Sequence, residues 1–408
     1  MDGTRTFVVA LLLLSVASVG GVVVADAVVE SGQPQEGTES PSVSMTVFTA
    51  ENTSEYLGIP ADAIDRTDDR TAGLDVGAAV EADAGSLESA YLADRLEQRY
   101  RNADTDAERE AVVEDASEQL TEHVDMLVAA ERAAIGQYNQ GTIGTQELLR
   151  TLTAVSRSAE TTIGTLEWLE TTADELDMDA EADRAATDRV RLVPMSGPVR
   201  AELADAVAGN GDHRVHVETA GDGIVLAAID PAGDAYVREA HDPGAKTDSI
   251  GDQYGGNPSP ALDRFTELYP WAINNFDGID ALGPEQVRLY RFSATYSHGS
   301  LETYLDSGST DILHERQRVH PETAPSTVVE RTQGDLRLLV NTTRAGGPLG
   351  VTVVDTTSGE TVDAAIELNG DRIGSTDGER LWTVAPRGSM NVTAIRGDET
   401  VTLETALG

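Results

Sequence analysis

The sequence predicts a multi-domain chain with a coiled-coil-like α-helical hairpin, an α+β domain and a C-terminal all-β sandwich. Three observations carry this prediction: two long apolar stripes at helical spacing, a central region that mixes short strands and helices, and a final stretch of alternating residues divided by glycine turns. The predicted boundaries are 1–27 for a signal peptide or membrane anchor, 28–75 for a flexible acidic spacer and loop, 76–185 for the hairpin, 190–345 for the α+β domain and 346–408 for the sandwich. Within 28–75, the segment SMTVFTAEN, residues 44–52, is interpreted as a short strand that joins a later domain.

An uninterrupted apolar run, FVVALLLLSVASVGGVVVA, occupies residues 7–25. At about 1.5 Å per residue a helix of this length reaches roughly 28 Å, close to the thickness of a bilayer's hydrocarbon core. The small residues Ala25 and Ala27 favour cleavage as a signal peptide, whereas the length favours an uncleaved anchor. Both alternatives deliver the remaining chain outside the cell, so we expect an extracellular or cell-surface protein that contacts the membrane through residues 7–25 if uncleaved.

The composition is strongly acidic, with 71 acidic against 29 basic residues and a net charge of −42. Such a charge opposes compaction in ordinary buffer, but at 1 M salt the Debye length falls to about 3 Å and the repulsion is screened. The acidity and the single lysine, Lys246, resemble the proteome signature of haloarchaea. We therefore expect a halophilic protein and exclude nucleic acid as a partner. The absence of cysteine excludes disulfides and a lipidated cysteine anchor.

Apolar residues recur every three or four positions in two segments that predict the hairpin. The first stripe is broken only at Glu131 and comprises Val113, Ala116, Leu120, Val124, Leu127, Ala134 and Tyr138. The second comprises Leu152, Val155, Ala159, Ile163, Leu166, Leu169, Ala173 and Leu176. Gly141 is placed to end the first helix and Thr145 to cap the second, and a cap at Thr105 or Asp106 follows a shorter preceding helix. The hairpin serves either as a stalk or partner-binding surface, or as an ordinary bundle packed on the next domain.

The region 190–345 mixes helices and strands without a strict βαβ rhythm, which favours an α+β domain. The segment RVRLVP, residues 189–194, is interpreted as a strand leading into a helix. Several short strands follow, with turns at positions rich in glycine, proline and aspartate.

Two sets of residues in this domain are candidates for binding. Tyr290, Phe292 and Tyr296 alternate onto one face of a predicted strand, where they form either an aromatic platform for sugar rings or, the favoured interpretation, the domain's hydrophobic core. Arg316 and Arg318 share a strand face, which favours cross-strand pairing with acidic residues over a cationic stripe for carboxylate or sulfate groups.

Catalytic and metal-binding signatures are absent from the sequence. Residues six apart on a strand are separated by about 20 Å, so His314 and His320 cannot share a metal ion. There is no nucleophile elbow, phosphate loop, dinucleotide fingerprint, cysteine nucleophile or calcium loop. We therefore expect neither a metal nor a cofactor.

The final residues alternate apolar and polar positions in short runs, with turns at Ser358-Gly359, Asn369-Gly370, Asp377-Gly378 and Arg387-Gly388. This order of strands and turns, over about residues 347–405, resembles the carboxypeptidase regulatory-like or transthyretin-like domains, and so implies an Ig/transthyretin-like sandwich. Such modules are typically non-catalytic appendages of secreted proteins. Asn52, Asn341 and Asn391 lie in glycosylation acceptor sequences that become usable in an extracellular chain.

The whole chain resembles the multi-domain secreted proteins of haloarchaea. We expect a non-catalytic extracellular or cell-envelope protein of a halophile that binds a partner protein or a surface glycan. The alternative is a secreted enzyme of the hydrolase type whose active site lies in residues 190–345 without a local motif, because catalytic residues need only converge in space.

Overall fold

The architecture consists of a helical bundle, an eight-stranded sheet covered on both faces and a C-terminal sandwich. A computed structural model describes residues 44–50, 52–230, 234–247, 250–282 and 288–407. The expected signal or anchor and residues 28–43 of the expected spacer lie outside the described residues. Among those described, no helix combines the length and the hydropathy required to cross a bilayer.

Three strands occupy the stretch predicted as spacer and loop, and the first of them lies within the segment 44–52 that is interpreted as a short strand. Strands β1 (Thr46–Ala50) and β2 (Thr53–Gly58) form an antiparallel hairpin, and β3 (Arg66–Ala72) is an edge strand of the large sheet. The sequence of β3, RTDDRTA, is almost entirely polar because an edge strand exposes much of its surface, and charged side chains protect such edges from aggregation. Ordered structure therefore begins well before residue 75.

Four long helices form a bundle rather than an isolated hairpin, and the coiled-coil arrangement is not confirmed. They are α1 (Val76–Arg101), α2 (Asp106–Asn139), α3 (Thr145–Glu175) and α4 (Asp179–Leu192). The predicted cap at Thr105 is confirmed, since Thr105 and Glu108 form a capping box. Gly144 rather than Thr145 is the N-cap of α3, because the Thr145 hydroxyl instead donates a hydrogen bond to Asp68.

The segment predicted as a strand at residues 189–194 is helical. It forms the end of α4 and part of a 3-10 turn, Val193–Met195. Ala182, Ala185 and Leu192 pack from α4 into the core of the bundle, and this burial outweighs the strand preference of the local valines.

The large sheet is antiparallel throughout, with the strand order β3-β4-β5-β6-β10-β9-β8-β7. Its other strands are β4 (His213–Ala220), β5 (Gly223–Ile229), β6 (Tyr236–His241), β7 (Phe276–Leu282), β8 (Leu289–Tyr296), β9 (Gly299–Asp306) and β10 (Ile312–Val319). The remaining helices are α5 (Pro198–Val207), α6 (Pro258–Leu268) and α7 (Pro270–Asn275).

Each face of this sheet has its own core, because successive side chains of a strand point in opposite directions. On β5, Ile224 and Leu226 pack with α2, α3 and α5, while Val225 joins the core formed with α6, α7 and β2. The bundle is thus packed on the sheet.

The C-terminal module consists of two four-stranded antiparallel sheets, with the orders β11-β12-β13-β16 and β15-β14-β17-β18. Its strands are β11 (Thr327–Gln333), β12 (Leu336–Thr342), β13 (Pro348–Asp355), β14 (Ala365–Leu368), β15 (Asp371–Ser375), β16 (Leu381–Val384), β17 (Gly388–Arg396) and β18 (Glu399–Leu407). Asn369 and Gly370 both have positive φ, 56° and 91°, in the turn between β14 and β15. The module begins at β11, so the predicted boundary at residue 346 assigns two of its strands to the preceding domain.

Candidate functional site

The three candidate aromatic residues of β8 lie in the core. Tyr290 and Phe292 are fully buried and Tyr296 is 5% exposed, all in the cluster between the sheet and helices α6 and α7. Phe292 stacks on Phe265 with ring centroids 4.7 Å apart. These rings are inaccessible to a sugar, so they are not an exposed binding face.

The two predicted binding arginines are held by internal contacts. Arg318 Nη2 donates to Asp230 Oδ2 over 2.6 Å. Arg316 Nη2 donates to the carbonyl oxygens of Val193 and Ser196 over 2.6 and 2.8 Å, and its Nη1 lies 3.6 Å from Glu302 Oε1. They therefore fix the 3-10 turn and the strand ends and do not form a free cationic stripe.

A cavity of about 170 Å³ lies where the β1–β2 hairpin, the large sheet and the sandwich meet. We call it the junction pocket. Four cationic side chains line it, namely His216, Arg238, Arg344 and Arg387, against a single acidic one, Glu218. The excess of cationic over acidic side chains in this pocket is the opposite of the chain as a whole, which has a net charge of −42.

His216 is the buried centre of this group. Its Nδ1 lies 3.1 Å from Oδ1 of Asp69, its partner across β3 and β4, and its Nε2 lies 3.1 Å from Glu218 Oε1 without the geometry of a hydrogen bond. Burial opposes the charged imidazole, but the carboxylates of Asp69 and Glu218 outweigh this effect and raise the pKa of His216 to about 9. The ring is therefore a cation at neutral pH.

Glu218 of the large sheet forms a contact with the sandwich. Its Oε1 accepts a hydrogen bond from Arg387 Nε at 2.9 Å, in addition to the His216 contact. Burial alone would raise the pKa of Glu218, yet these two cations lower it to about 2. The carboxylate stays ionised and neutralises one of its two cationic neighbours.

Arg344 is the cation of the junction pocket that keeps no carboxylate partner. Among the described residues, no carboxylate oxygen lies within 4.0 Å of its guanidinium, whereas Arg238 is paired with Glu315 at 2.9 Å. Arg344 instead stacks on the ring of Tyr56 at 3.7 Å and donates to the carbonyl of Ala345. A stacked guanidinium with unused donors suits a carboxylate, sulfate or phosphate group.

A second cavity, of about 290 Å³, shares Tyr56 and Arg344 with the junction pocket, and we call it the hydroxyl cleft. Its lining includes the hydroxyl side chains of Thr49, Thr53, Ser326, Thr327 and Thr343. Such groups can donate and accept hydrogen bonds, as the hydroxyls of a sugar require. The two cavities thus place one unpaired cation beside a polar cleft.

The glycosylation candidates differ in position. Asn391 is exposed in the sandwich, while Asn52 is exposed and lines the hydroxyl cleft. Asn341 is half-buried and its Nδ2 donates to Oγ of Ser326, which lines the same cleft.

A separate buried ionic cluster connects the bundle to the sheet. Arg200 of α5 binds both carboxylate oxygens of Glu131 at 2.7 and 3.0 Å and one oxygen of Glu239 at 3.1 Å. All three residues are at most 3% exposed. His241 lies beside them, with its Nδ1 4.0 Å from Glu131 Oε1. No group of three or more metal-ligating side chains occurs in the part of the chain that the structure covers.

The junction pocket is not predictable from the sequence because its residues come from three distant segments. One local signal was present, since His216 and Glu218 are two apart on a strand and therefore point to the same face. Arg344 and Arg387 each lie close to a glycine with positive φ, Gly346 and Gly388, at the entry and edge of the sandwich. Their convergence depends on tertiary structure alone.

Comparisons with known proteins identify three consecutive families along the chain. Residues 215–325 match a family of unknown function, DUF7094, and residues 327–403 match the archaeal fibronectin-III type-like domain. The last match establishes the C-terminal module as an archaeal all-β, Ig-like domain that begins at β11. No curated protein and no solved structure matches the chain.

The remaining match covers residues 1–212, described as a domain of unknown function, DUF7096. The boundary at residue 212 passes through the large sheet, because β3 precedes it and β4 follows it. These two regions therefore form one folded unit in this protein. Since the match spans more than half of the sequence, the chain belongs to the DUF7096 family.

Proposed function

We propose that this protein is a non-catalytic extracellular or cell-envelope binding protein of a halophilic archaeon, and that it holds an acidic surface glycan at the junction pocket and hydroxyl cleft. The observation that carries the proposal is Arg344, a guanidinium without a carboxylate partner in a protein with a large excess of carboxylates. A carboxylate or sulfate on the glycan would pair with Arg344, and the sugar hydroxyls would bind the threonines and serines of the cleft.

The position of the site supports a glycan better than a small free anion. The cavities lie at the boundary between two folded parts of the chain, where ligand sites are common. Chloride at molar concentration would compete for a simple cationic site, whereas a saccharide gains additional hydrogen bonds from the cleft. The Ig-like sandwich, with its resemblance to transthyretin-like appendages, supplies one wall of the site.

Binding of defined saccharides tests this function. Glucuronate oligosaccharides and a sulfated glucose should bind in molar KCl, and neutral glucose oligomers should bind at least roughly tenfold more weakly, as measured by calorimetry. Arg344→Gln should remove the preference for acidic sugars, because truncating one partner of a charge pair typically costs about 2–5 kcal/mol. The matched control is Arg331→Gln, which alters an exposed arginine of the same module.

Several results would contradict the proposal. Equal binding of acidic and neutral sugars would remove the role of the cation, and unchanged binding in Arg344→Gln would place the site elsewhere. If Arg344→Gln lowers the melting temperature, Arg344→Lys is the alternative variant. It keeps the positive charge but loses the forked guanidinium, so its preference for acidic over neutral sugars should be intermediate.

A secreted hydrolase is the second candidate, and the ionic cluster is the observation that favours it. The carboxylate of Glu131 faces Nδ1 of His241, an arrangement that can orient a histidine as a general base. Burial, however, lowers the pKa of His241 to about 4, which makes it a weak base at neutral pH. Hydrolysis of glycosides or esters that is lost in His241→Gln would establish this candidate.

A further inference from the structure

A third cavity, separate from the junction pocket, lies between the bundle and the large sheet. It has a volume of about 180 Å³ and is bounded by α2, the end of α4 with its 3-10 turn, and the ends of β6 and β10. Six of its lining side chains are apolar and come from these elements: Val128, Ile135, Val190, Pro194, Met195 and Leu313. An apolar cavity of about 150 Å³ is large enough to bind benzene.

The charged side chains at its boundary already interact with other residues. Arg132 pairs with Asp222 at 3.0 Å, and Arg191 pairs with Asp188 at 2.9 Å and with Asp125 at 2.6 Å. Glu131 is held by both terminal nitrogens of Arg200, as described above. Lys246 also lines the cavity and likewise has an interaction of its own. A ligand therefore gains little from carrying a charge of its own.

His241 is the polar side chain of the lining whose hydrogen-bonding capacity is unused. Its Nδ1 is buried without a hydrogen bond and faces the Glu131 carboxylate at 4.0 Å, which favours a proton on Nδ1. Its Nε2 then carries a lone pair, and none of the hydrogen bonds between described residues involves this atom. Burial lowers the pKa of the ring, so it is neutral at pH 7 and can accept a hydrogen bond there.

We propose that this cavity binds a small, uncharged aromatic or cyclic molecule that carries one hydroxyl or N–H group, with His241 Nε2 as the acceptor. The apolar walls take the ring, and the single acceptor selects for the polar hydrogen. This site is independent of the acidic glycan proposed above, because the two share no lining residue.

Phenol and toluene form a matched pair of probes, since they have similar shape and differ in one hydrogen-bond donor. In saturation-transfer NMR on the full chain in molar KCl, phenol should bind roughly tenfold more tightly than toluene, which corresponds to one hydrogen bond of about 1.4 kcal/mol. His241→Phe should abolish this preference and retain toluene binding. His320→Phe, which changes an exposed histidine outside the cavity, should leave both affinities unchanged.

Filling the cavity provides the second measurement. Met195→Trp should eliminate binding of both probes, and Leu313→Phe, a smaller change, serves if the first variant does not fold. Equal affinity of the wild-type protein for the two probes, or binding of neither, would overturn the proposal. Phenol binding that survives in a folded, cavity-filled variant would do the same.

Discussion

The Nε atom of Arg387 donates a hydrogen bond to Glu218 Oε1 over 2.9 Å, and so joins residues that are 169 positions apart. Arg387 belongs to the sandwich and Glu218 to the large sheet. A second hydrogen bond joins the two parts, because the Tyr236 hydroxyl donates to the carbonyl of Gly346 over 2.6 Å. These contacts fix the sandwich against the sheet and thereby shape the junction pocket.

The stability of this junction should depend on pH through His216. Its pKa is raised in the folded protein from 6.5 to about 9, so its stabilising effect is complete below pH 6.5 and is lost as the pH rises through about 9. A pKa shift of this size corresponds to about 3 kcal/mol of the free energy of unfolding. Between pH 6 and pH 9.5, the melting temperature of the wild-type protein should therefore fall more steeply than that of His216→Gln.

The control for this measurement is His320→Gln, since His320 is exposed. Its melting profile should parallel the wild-type profile over the whole range. Parallel profiles for wild type and His216→Gln would show that the imidazole is not held between the carboxylates of Asp69 and Glu218.

Removing Arg200 should cause a large loss of stability. Arg200→Met leaves the carboxylates of Glu131 and Glu239 buried without their cation, which typically costs about 3–5 kcal/mol. Arg101→Met is the matched control, because Arg101 forms an exposed pair with Glu97 and should cost at most about 1 kcal/mol. Urea denaturation in molar KCl measures both, and similar losses for the two variants would contradict the buried cluster.

A glycine beside this cluster provides an independent test. A Cβ atom added at Gly197 would lie 1.4 Å from Glu239 Oε2, and Glu239 is restrained by Arg200. Gly197→Ala should therefore destabilise the protein by about 1–3 kcal/mol through displacement of the carboxylate.

Gly164 offers the opposite case, because it lies inside α3 and an added Cβ meets no atom within 4 Å. Gly164→Ala should stabilise the protein by about 0.5–1 kcal/mol, as expected for an exposed helix interior. The two substitutions should thus shift the urea midpoint in opposite directions. A Gly197→Ala variant as stable as wild type would mean that Glu239 is free to move.

Sequence periodicity was sufficient to predict a helix or strand where that element buries an apolar face of its own. The stripes of α2 and α3 and the alternating strands of the sandwich are of this kind, because their side chains show the period of the structure. The β3 strand shows no such period. Its strand conformation depends on pairing with β4, which lies more than 140 residues further along the chain. The local sequence of β3 does not indicate that pairing.

The candidate sites were less predictable for the same reason. The predicted aromatics had the correct strand spacing, but a spacing of two does not distinguish a core face from a binding face. Asp69 and His216 are 147 positions apart, and Arg344 reaches Tyr56 only because the sandwich packs against the β1–β2 hairpin. Sites assembled from distant segments require the tertiary structure.

The sandwich should fold alone only if its first two strands are included. Strand β12 lies inside its sheet, between β11 and β13, and Leu336, Leu338 and Val340 are fully buried in the core. A fragment of residues 326–407 should give dispersed amide resonances in molar salt. A fragment beginning at residue 346 lacks β11 and β12 and should give a collapsed or random-coil spectrum. Equal dispersion in both fragments would contradict this boundary.

The whole protein should require salt for stability. Each pair of like charges 4 Å apart in water costs about 1 kcal/mol, and more distant pairs cost less. Summed over a chain with a net charge of −42, these terms rival the few kcal/mol by which a domain is usually stable. Salt at 1 M shortens the Debye length to about 3 Å and removes most of the repulsion. Circular dichroism during dilution of KCl from molar to tens of millimolar should therefore show a steep fall in melting temperature, and an unchanged value would contradict a halophilic protein.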